Sequence, residues 1–106
     1  MKTINIYEII NNERFEHTED ALKVCKEMKK VYYSESQIIM DFKNITFILT
    51  SAINHSLGFF IQKYGKDAVS KKVKIANIVD KDLLYPIKLS IVGMEEIFLK
   101  GQKSKD

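Results

Sequence analysis

Two adjacent hydroxyl side chains, Thr50 and Ser51, separate a short apolar run from an amphipathic segment. A hydroxyl at such a junction commonly caps a helix by accepting a hydrogen bond from a free backbone N–H, which contributes about 1 kcal/mol. The same hydroxyl can carry a phosphate, which the exposed amides and the helix dipole stabilise and whose charge alters the docking of a partner. At least one of these residues is therefore predicted to cap the helix, and both are candidate phosphoacceptors.

Four further side chains near this junction are candidates for binding a partner. Asp41 ends an apolar strand, where its carboxylate is expected to tie down the following turn. Asn54, His55 and Phe59 lie off the predicted buried face of the helix that follows the hydroxyls. Phe59 either anchors a partner or packs beneath a neighbouring loop, and the sequence favours neither alternative.

The spacing of these residues does not favour a catalytic site or a metal site. A triad can be drawn from Ser51, His55 and Asp41, but Ser51 and His55 are one helical turn apart and no nucleophile-elbow glycines flank the serine. The other histidine, His17, lies in a separate segment, which argues against a zinc site. The four glycines form no phosphate-binding loop. We therefore expect a protein that is not an enzyme and that uses no metal or cofactor.

Composition predicts one soluble domain. The 106 residues carry a net charge of +3 and are 45% hydrophobic, which suits a single core in residues 1–100 followed by a flexible polar tail, 101–106. The lone Cys25 and the lack of a long apolar run predict a cytoplasmic protein without a membrane partner. The single Arg14 and the small basic excess argue against a nucleic-acid partner, and the absence of a ligand-binding motif argues against a small-molecule partner.

Hydrophobic periodicity divides the chain into alternating strands and helices. A strand at Gln37–Phe42 and a second apolar run at Ile45–Leu49 precede a helix predicted over Ala52–Tyr64. Another strand is predicted at Val73–Val79, and a last helix begins between Leu83 and Tyr85 because Pro86 is tolerated only in a first turn. The predicted buried face of the central helix carries Ile53, Leu57, Phe60, Ile61 and Tyr64. This alternation indicates an α/β fold with a partly parallel sheet.

The run from Ile38 to Ser51, followed by an amphipathic helix, resembles the centre of STAS domains, the fold of bacterial anti-sigma-factor antagonists. It is also similar to a STAS-like family of uncharacterised bacterial and phage domains. The resemblance covers Ile4 to Leu99. It implies a single-domain mixed sheet of four to five strands with helices mainly on one face.

The resemblance also implies a function. The family's aspartate falls on Leu49, its phosphoacceptor on Thr50 and its second serine on Ser51. Acids near this loop assist the acceptor in the family, which gives Asp41 an alternative role. The implied protein is a non-enzymatic regulatory module that docks a histidine-kinase-like ATPase or an anti-sigma factor over the Thr50–Ser51 turn and the following helix. The alternative is a phage or mobile-element inhibitor that binds a host defence enzyme without phosphorylation.

Overall fold

Short strands and helices alternate along residues 1–104, the part of the chain that the computed structural model describes. In chain order the elements are β1 (Lys2–Asn5), α1 (Ile6–Ile10), β2 (Arg14–Phe15), α2 (Thr18–Val31), β3 (Ile38–Asp41), β4 (Phe47–Ile48), α3 (Thr50–Asn54), α4 (Leu57–Tyr64), α5 (Lys66–Lys72), β5 (Val73–Ala76) and α6 (Leu84–Ser104). A 3-10 turn at Lys81–Leu83 leads into α6. The predicted α/β class is confirmed.

The central sheet contains three parallel strands in the order β1-β3-β5. Its register sets Met40 of β3 beside Ile4 of β1 and Ile75 of β5. Alternate residues of β3 are buried, as the twofold repeat of a strand requires. A separate parallel ladder joins Arg14 and Phe15 of β2 to β4. The expectation of one mixed sheet of four to five strands is therefore not confirmed, because the described strands divide into three and two and all pair in parallel.

A tight turn after β3 separates the two ladders. The backbone N–H of Ile45 donates to the carbonyl oxygen of Phe42 over 3.0 Å. Asn44 within this turn has a φ of 68°, a left-handed conformation that asparagine tolerates better than most residues. The chain therefore leaves the central sheet at the predicted polar break, and the next apolar run pairs with β2 instead.

The predicted central helix is two helices. The Ala52–Tyr64 prediction is wrong at its middle, because α3 ends at Asn54 and α4 begins at Leu57. Between them, the buried hydroxyl of Ser56 donates to the carbonyl oxygen of Ala52 over 2.8 Å. A serine hydroxyl that competes for helical carbonyl groups in this way favours a bend or a break. The predicted apolar face is nevertheless largely buried, at Ile53, Leu57, Phe60 and Ile61.

One hydrophobic core lies between the sheet and helices α2, α3, α4 and α6. Helix α2 contributes an apolar face while its lysines remain exposed. Its buried residues are Ala21, Val24, Cys25 and Met28. Helix α6 contributes Ile87, which is buried, together with Ile91 and Met94, which pack against the core.

Helix α6 begins at Leu84, within the predicted interval, and continues to Ser104. It therefore enters the segment that was predicted to be a flexible polar tail, of which residues 105–106 lie outside the described part of the chain. None of the helices in residues 1–104 combines the length and the apolar character that crossing a membrane requires.

Candidate functional site

The Thr50–Ser51 junction differs from the predicted cap. The backbone N–H of Leu49 donates to the carbonyl oxygen of Phe15 over 3.0 Å, which extends the β2–β4 ladder up to the start of α3. Leu49 is consequently the N-cap residue, and no side-chain hydrogen bond caps the helix. The capping prediction is wrong because the helix starts earlier than expected, which places both hydroxyl residues inside its first turn.

This placement changes what the two hydroxyls can do. Thr50 and Ser51 are both half-buried, and α3 has only five residues. Because a helix dipole is the sum of aligned peptide units, so short a helix offers a phosphate less stabilisation than the predicted long helix would. A phosphate here would act mainly through the charge it brings to the surrounding surface.

Three of the predicted partner-binding residues, Asn54, His55 and Phe59, come together in one shallow cavity of about 300 Å³. We call this cavity the α2–α4 groove. One wall belongs to α2 and the other to the α3–α4 segment. The remaining residues that line it are Leu22, Cys25, Lys29, Gln62 and Met94.

Two polar groups of the groove have defined hydrogen-bonding states. His55 Nδ1 lies 2.8 Å from the carbonyl oxygen of Ser51, so this nitrogen is the donor and Nε2 remains for another partner. Asn54 Oδ1 is buried and has no hydrogen-bond partner among residues 1–102, whose side chains the structure describes. A buried amide oxygen is normally bonded, so rotation of the half-buried Asn54 side chain towards a ligand with an N–H or O–H donor would satisfy it.

Lysines surround the aromatic side of the groove. Lys29 Nζ lies 4.2 Å from the centre of the Phe59 ring, and Lys63 Nζ lies 5.9 Å from it. A second shallow cavity, of about 330 Å³, shares Lys29 and Phe59 with the groove and extends towards exposed Tyr33 and half-buried Tyr64. The two cavities therefore form one continuous surface of aromatic rings flanked by positive charge.

Asp41 lies elsewhere, at the carboxyl ends of the central strands. Its Oδ1 accepts hydrogen bonds from Asn77 Nδ2 at 2.8 Å and from the Lys43 backbone N–H at 2.9 Å. Its Oδ2 accepts a longer bond, of 3.5 Å, from Asn5 Nδ2. These bonds connect the ends of all three strands of the central sheet and include the predicted tie to the following turn. The carboxylate is not bonded to His55, so the conceivable Ser51–His55–Asp41 triad is not assembled.

The sequence pattern missed the contribution of α2. Leu22 is 52% exposed although it is a large apolar residue, and its position off the buried face of the helix was the available signal. Lys29 resembled a solvated surface lysine until the fold brought it against Phe59. Cys25, beside them, is buried, and this burial raises the pKa of its thiol while nearby Lys29 partly opposes the shift. A raised pKa leaves less of the reactive thiolate, which favours a structural role.

No group of three or more histidine, cysteine, aspartate or glutamate side chains in the described residues is arranged to hold a metal ion. Comparison of the chain with protein-family models, curated proteins and solved structures found no match. The geometry is therefore the basis for a functional argument. It offers a binding surface with apolar, cationic and hydrogen-bonding parts.

Proposed function

We propose that the protein is a non-enzymatic regulatory module that binds another protein through the α2–α4 groove. The observation that carries this proposal is the convergence of Asn54, His55 and Phe59 on one cavity with exposed Leu22 and Lys29. Aromatic and apolar anchors surrounded by polar groups are typical of protein-binding surfaces.

The two hydroxyls adjoin one end of this groove. Residues four apart on a helix lie on the same side, which places Thr50 near Asn54 and Ser51 near His55. The bond between His55 and the Ser51 carbonyl supports this proximity. A phosphate on either hydroxyl would therefore bring negative charge to the edge of the surface that binds the partner.

The groove indicates the chemistry of its partner. Leu22 and Phe59 would accept an apolar side chain, and Asn54 Oδ1, turned towards the partner, would accept a hydrogen bond from a neighbouring backbone N–H. Lys29 and Lys63 would attract acidic groups at the rim. Phosphorylation would weaken the binding of such an acidic partner by repulsion. The STAS resemblance implies that this partner is a histidine-kinase-like ATPase or an anti-sigma factor.

The alternative is a phage or mobile-element inhibitor that binds a host defence enzyme without phosphorylation. Leu49 favours it, because an exposed apolar side chain stands where the STAS domains that the chain resembles have an acid. The half-buried state of Thr50 and Ser51 favours it as well, since a kinase needs access to the hydroxyl. This protein would use the same groove with both hydroxyls unmodified.

A crosslinking experiment in the native host tests the surface and identifies the partner. A photo-crosslinking residue replaces His55 in one tagged variant and Lys71, which is exposed at the end of α5, in a matched control. We expect the variant at position 55 to capture one protein, either a kinase-like ATPase or an anti-sigma factor, and the variant at position 71 not to capture it. Equal capture at both positions, or none at position 55, would refute the proposed surface.

The switch is tested with the captured protein in purified form. We expect Thr50→Asp or Ser51→Asp to weaken binding by about tenfold, with an unchanged circular dichroism unfolding curve, and mass spectrometry to find phosphate on the peptide that contains both residues. Full binding by both variants, with an unmodified peptide, would reject the switch. Capture of a defence enzyme would then support the inhibitor.

A further inference from the structure

Helix α6 is apolar on two sides. Its inner side packs on the core through Ile87, Ile91 and Met94. Five of its large apolar residues are exposed, and all but Ile97 lie on its outer side, where Tyr85 is 66% and Val92 is 61% exposed. The four are Tyr85, Leu89, Val92 and Leu99.

These exposed residues form one stripe. They follow Tyr85 at spacings of four, seven and fourteen residues, which places them on one side of an α-helix over about 21 Å of its length. Exposed apolar residues scattered singly over a surface need no explanation, but four on one side of a helix, interrupted at exposed Glu96, indicate an interface. The seven-residue spacing from Tyr85 to Val92 to Leu99 is the repeat with which two helices pack against each other.

The charges beside the stripe determine which partner fits. Lys88 lies four residues before Val92, and Glu95 and Glu96 lie three and four residues after it. If two copies of α6 pair antiparallel about a two-fold axis at Val92, Lys88 of each copy is level with Glu96 of the other. Glu95 is level with Leu89 instead, and it accepts a hydrogen bond from the Lys66 backbone N–H in its own chain. The apolar residues match as well, because Tyr85 and Leu99 are both seven residues from Val92.

A parallel pairing would be unfavourable. It would set Lys88 beside Lys88 and Glu96 beside Glu96, so like charges would meet at both positions. The antiparallel pairing brings opposite charges together from identical surfaces, as an isologous two-fold interface requires. The stripe is therefore complementary to itself when reversed.

We propose that the outer stripe of α6 pairs antiparallel with the same stripe of a second copy of this chain, with Val92 at the two-fold axis. This interface is separate from the α2–α4 groove, which neither Tyr85, Val92 nor Leu99 lines. Two grooves would then be carried by one dimer. The proposed dimer does not depend on the proposed function, because the α6 stripe and the α2–α4 groove are different surfaces.

Sedimentation equilibrium over a range of protein concentrations tests the pairing. We expect a reversible dimer that Val92→Glu weakens by at least about tenfold, because two carboxylates would meet at the axis. Val79→Glu is the matched control, since Val79 is 64% exposed and lies outside α6. A monomer at all concentrations up to about 100 μM, which corresponds to a dimer weaker than about −5.5 kcal/mol, or an equal loss of dimer affinity in both variants would overturn the proposal.

The antiparallel register of the two α6 helices about Val92 is tested separately, by charge reversal and by crosslinking. Lys88→Glu or Glu96→Lys alone should weaken the dimer about two- to fivefold, and the double variant should recover most of the loss. Val92→Cys should form a disulfide-linked dimer under mild oxidation, whereas Val79→Cys should not. A double variant as weak as the single ones, or no disulfide at position 92, would reject the antiparallel arrangement about Val92.

Discussion

The ring of Phe98 packs directly over the Cα of Gly65. A Cβ at Gly65 would lie 2.7 Å from Phe98 Cε2 and 3.0 Å from Cζ. Gly65 connects α4 to α5 with φ 88° and ψ 152°, a backbone conformation that is essentially restricted to glycine. This one residue therefore permits both the sharp turn between two helices and the close approach of α6.

We expect Gly65→Ala to destabilise the protein by about 1–3 kcal/mol from backbone strain, with a further loss from displacement of the Phe98 ring. Urea unfolding followed by circular dichroism measures the change. Gly93→Ala is the control, because a Cβ at Gly93 would have no neighbour within 4 Å. In a helix interior that substitution should stabilise by about 0.5–1 kcal/mol. Equal stability of Gly65→Ala and the native chain would show that neither strain nor the Phe98 contact has the proposed effect.

Asp41 connects the strand ends through hydrogen bonds with Asn77, Asn5 and the backbone of Lys43. Replacing the carboxylate by an amide removes a charged acceptor and turns one of its oxygens into a donor that faces other donors. We therefore expect Asp41→Asn to lower the free energy of unfolding by about 1–3 kcal/mol. The control is Asp67→Asn, at an exposed position in the first turn of α5.

Partner binding distinguishes this role of Asp41 from the alternative of direct contact. Folded Asp41→Asn protein should bind the groove partner with unchanged affinity, because Asp41 is not among the residues that line the groove. If Asp41→Asn binds the partner more weakly without a change in the free energy of unfolding, Asp41 contacts the partner directly.

Periodicity was sufficient to predict the helix faces and several boundaries. Ile53, Leu57, Phe60 and Ile61 are buried as their spacing predicts, and Pro86 correctly limits the start of α6. Both signals are local, since a helix fixes which residues share a face and where a proline is tolerated. The interruption at Ser56 escaped detection because Ile53 and Leu57 keep their helical spacing across it. Its signature is a buried hydroxyl bonded to a carbonyl group, which only the packed structure reveals.

The pairing of strands and the walls of the groove depend on contacts between distant parts of the chain. Strands β2 and β4 have two residues each, too few for an alternating pattern to identify their neighbours. Asn54, His55 and Phe59 were predicted to face away from the core, yet their arrangement with Leu22 and Lys29 depends on how α2 packs beside the α3–α4 segment. No spacing within one helix encodes that geometry.

Cys25 is expected to make the free energy of unfolding decrease at alkaline pH. The side chain is 2% exposed, and burial raises the pKa of its thiol above the ordinary value of 9.0, with Lys29 partly opposing the shift. In the unfolded chain the thiol loses its proton near that ordinary value while the native thiol keeps it. The unfolded state then binds fewer protons, so the free energy of unfolding is constant below about pH 9 and falls as pH rises through the native pKa.

Chemical denaturation at several pH values between 7 and 11 measures the free energy of unfolding. Just above pH 9, this free energy should fall less steeply with pH for Cys25→Ala than for the native chain. Tyr32→Phe is the companion variant, because burial, with a contribution from Tyr33, also raises the pKa of Tyr32 above its ordinary value of 10.0. For Tyr32→Phe, the free energy of unfolding should still begin to fall near pH 9, but it should fall less than that of the native chain above pH 10. If the free energy of unfolding depends on pH in the same way for Cys25→Ala and the native chain, the thiol has the same pKa in the native and unfolded states. Burial would then not raise the pKa of Cys25.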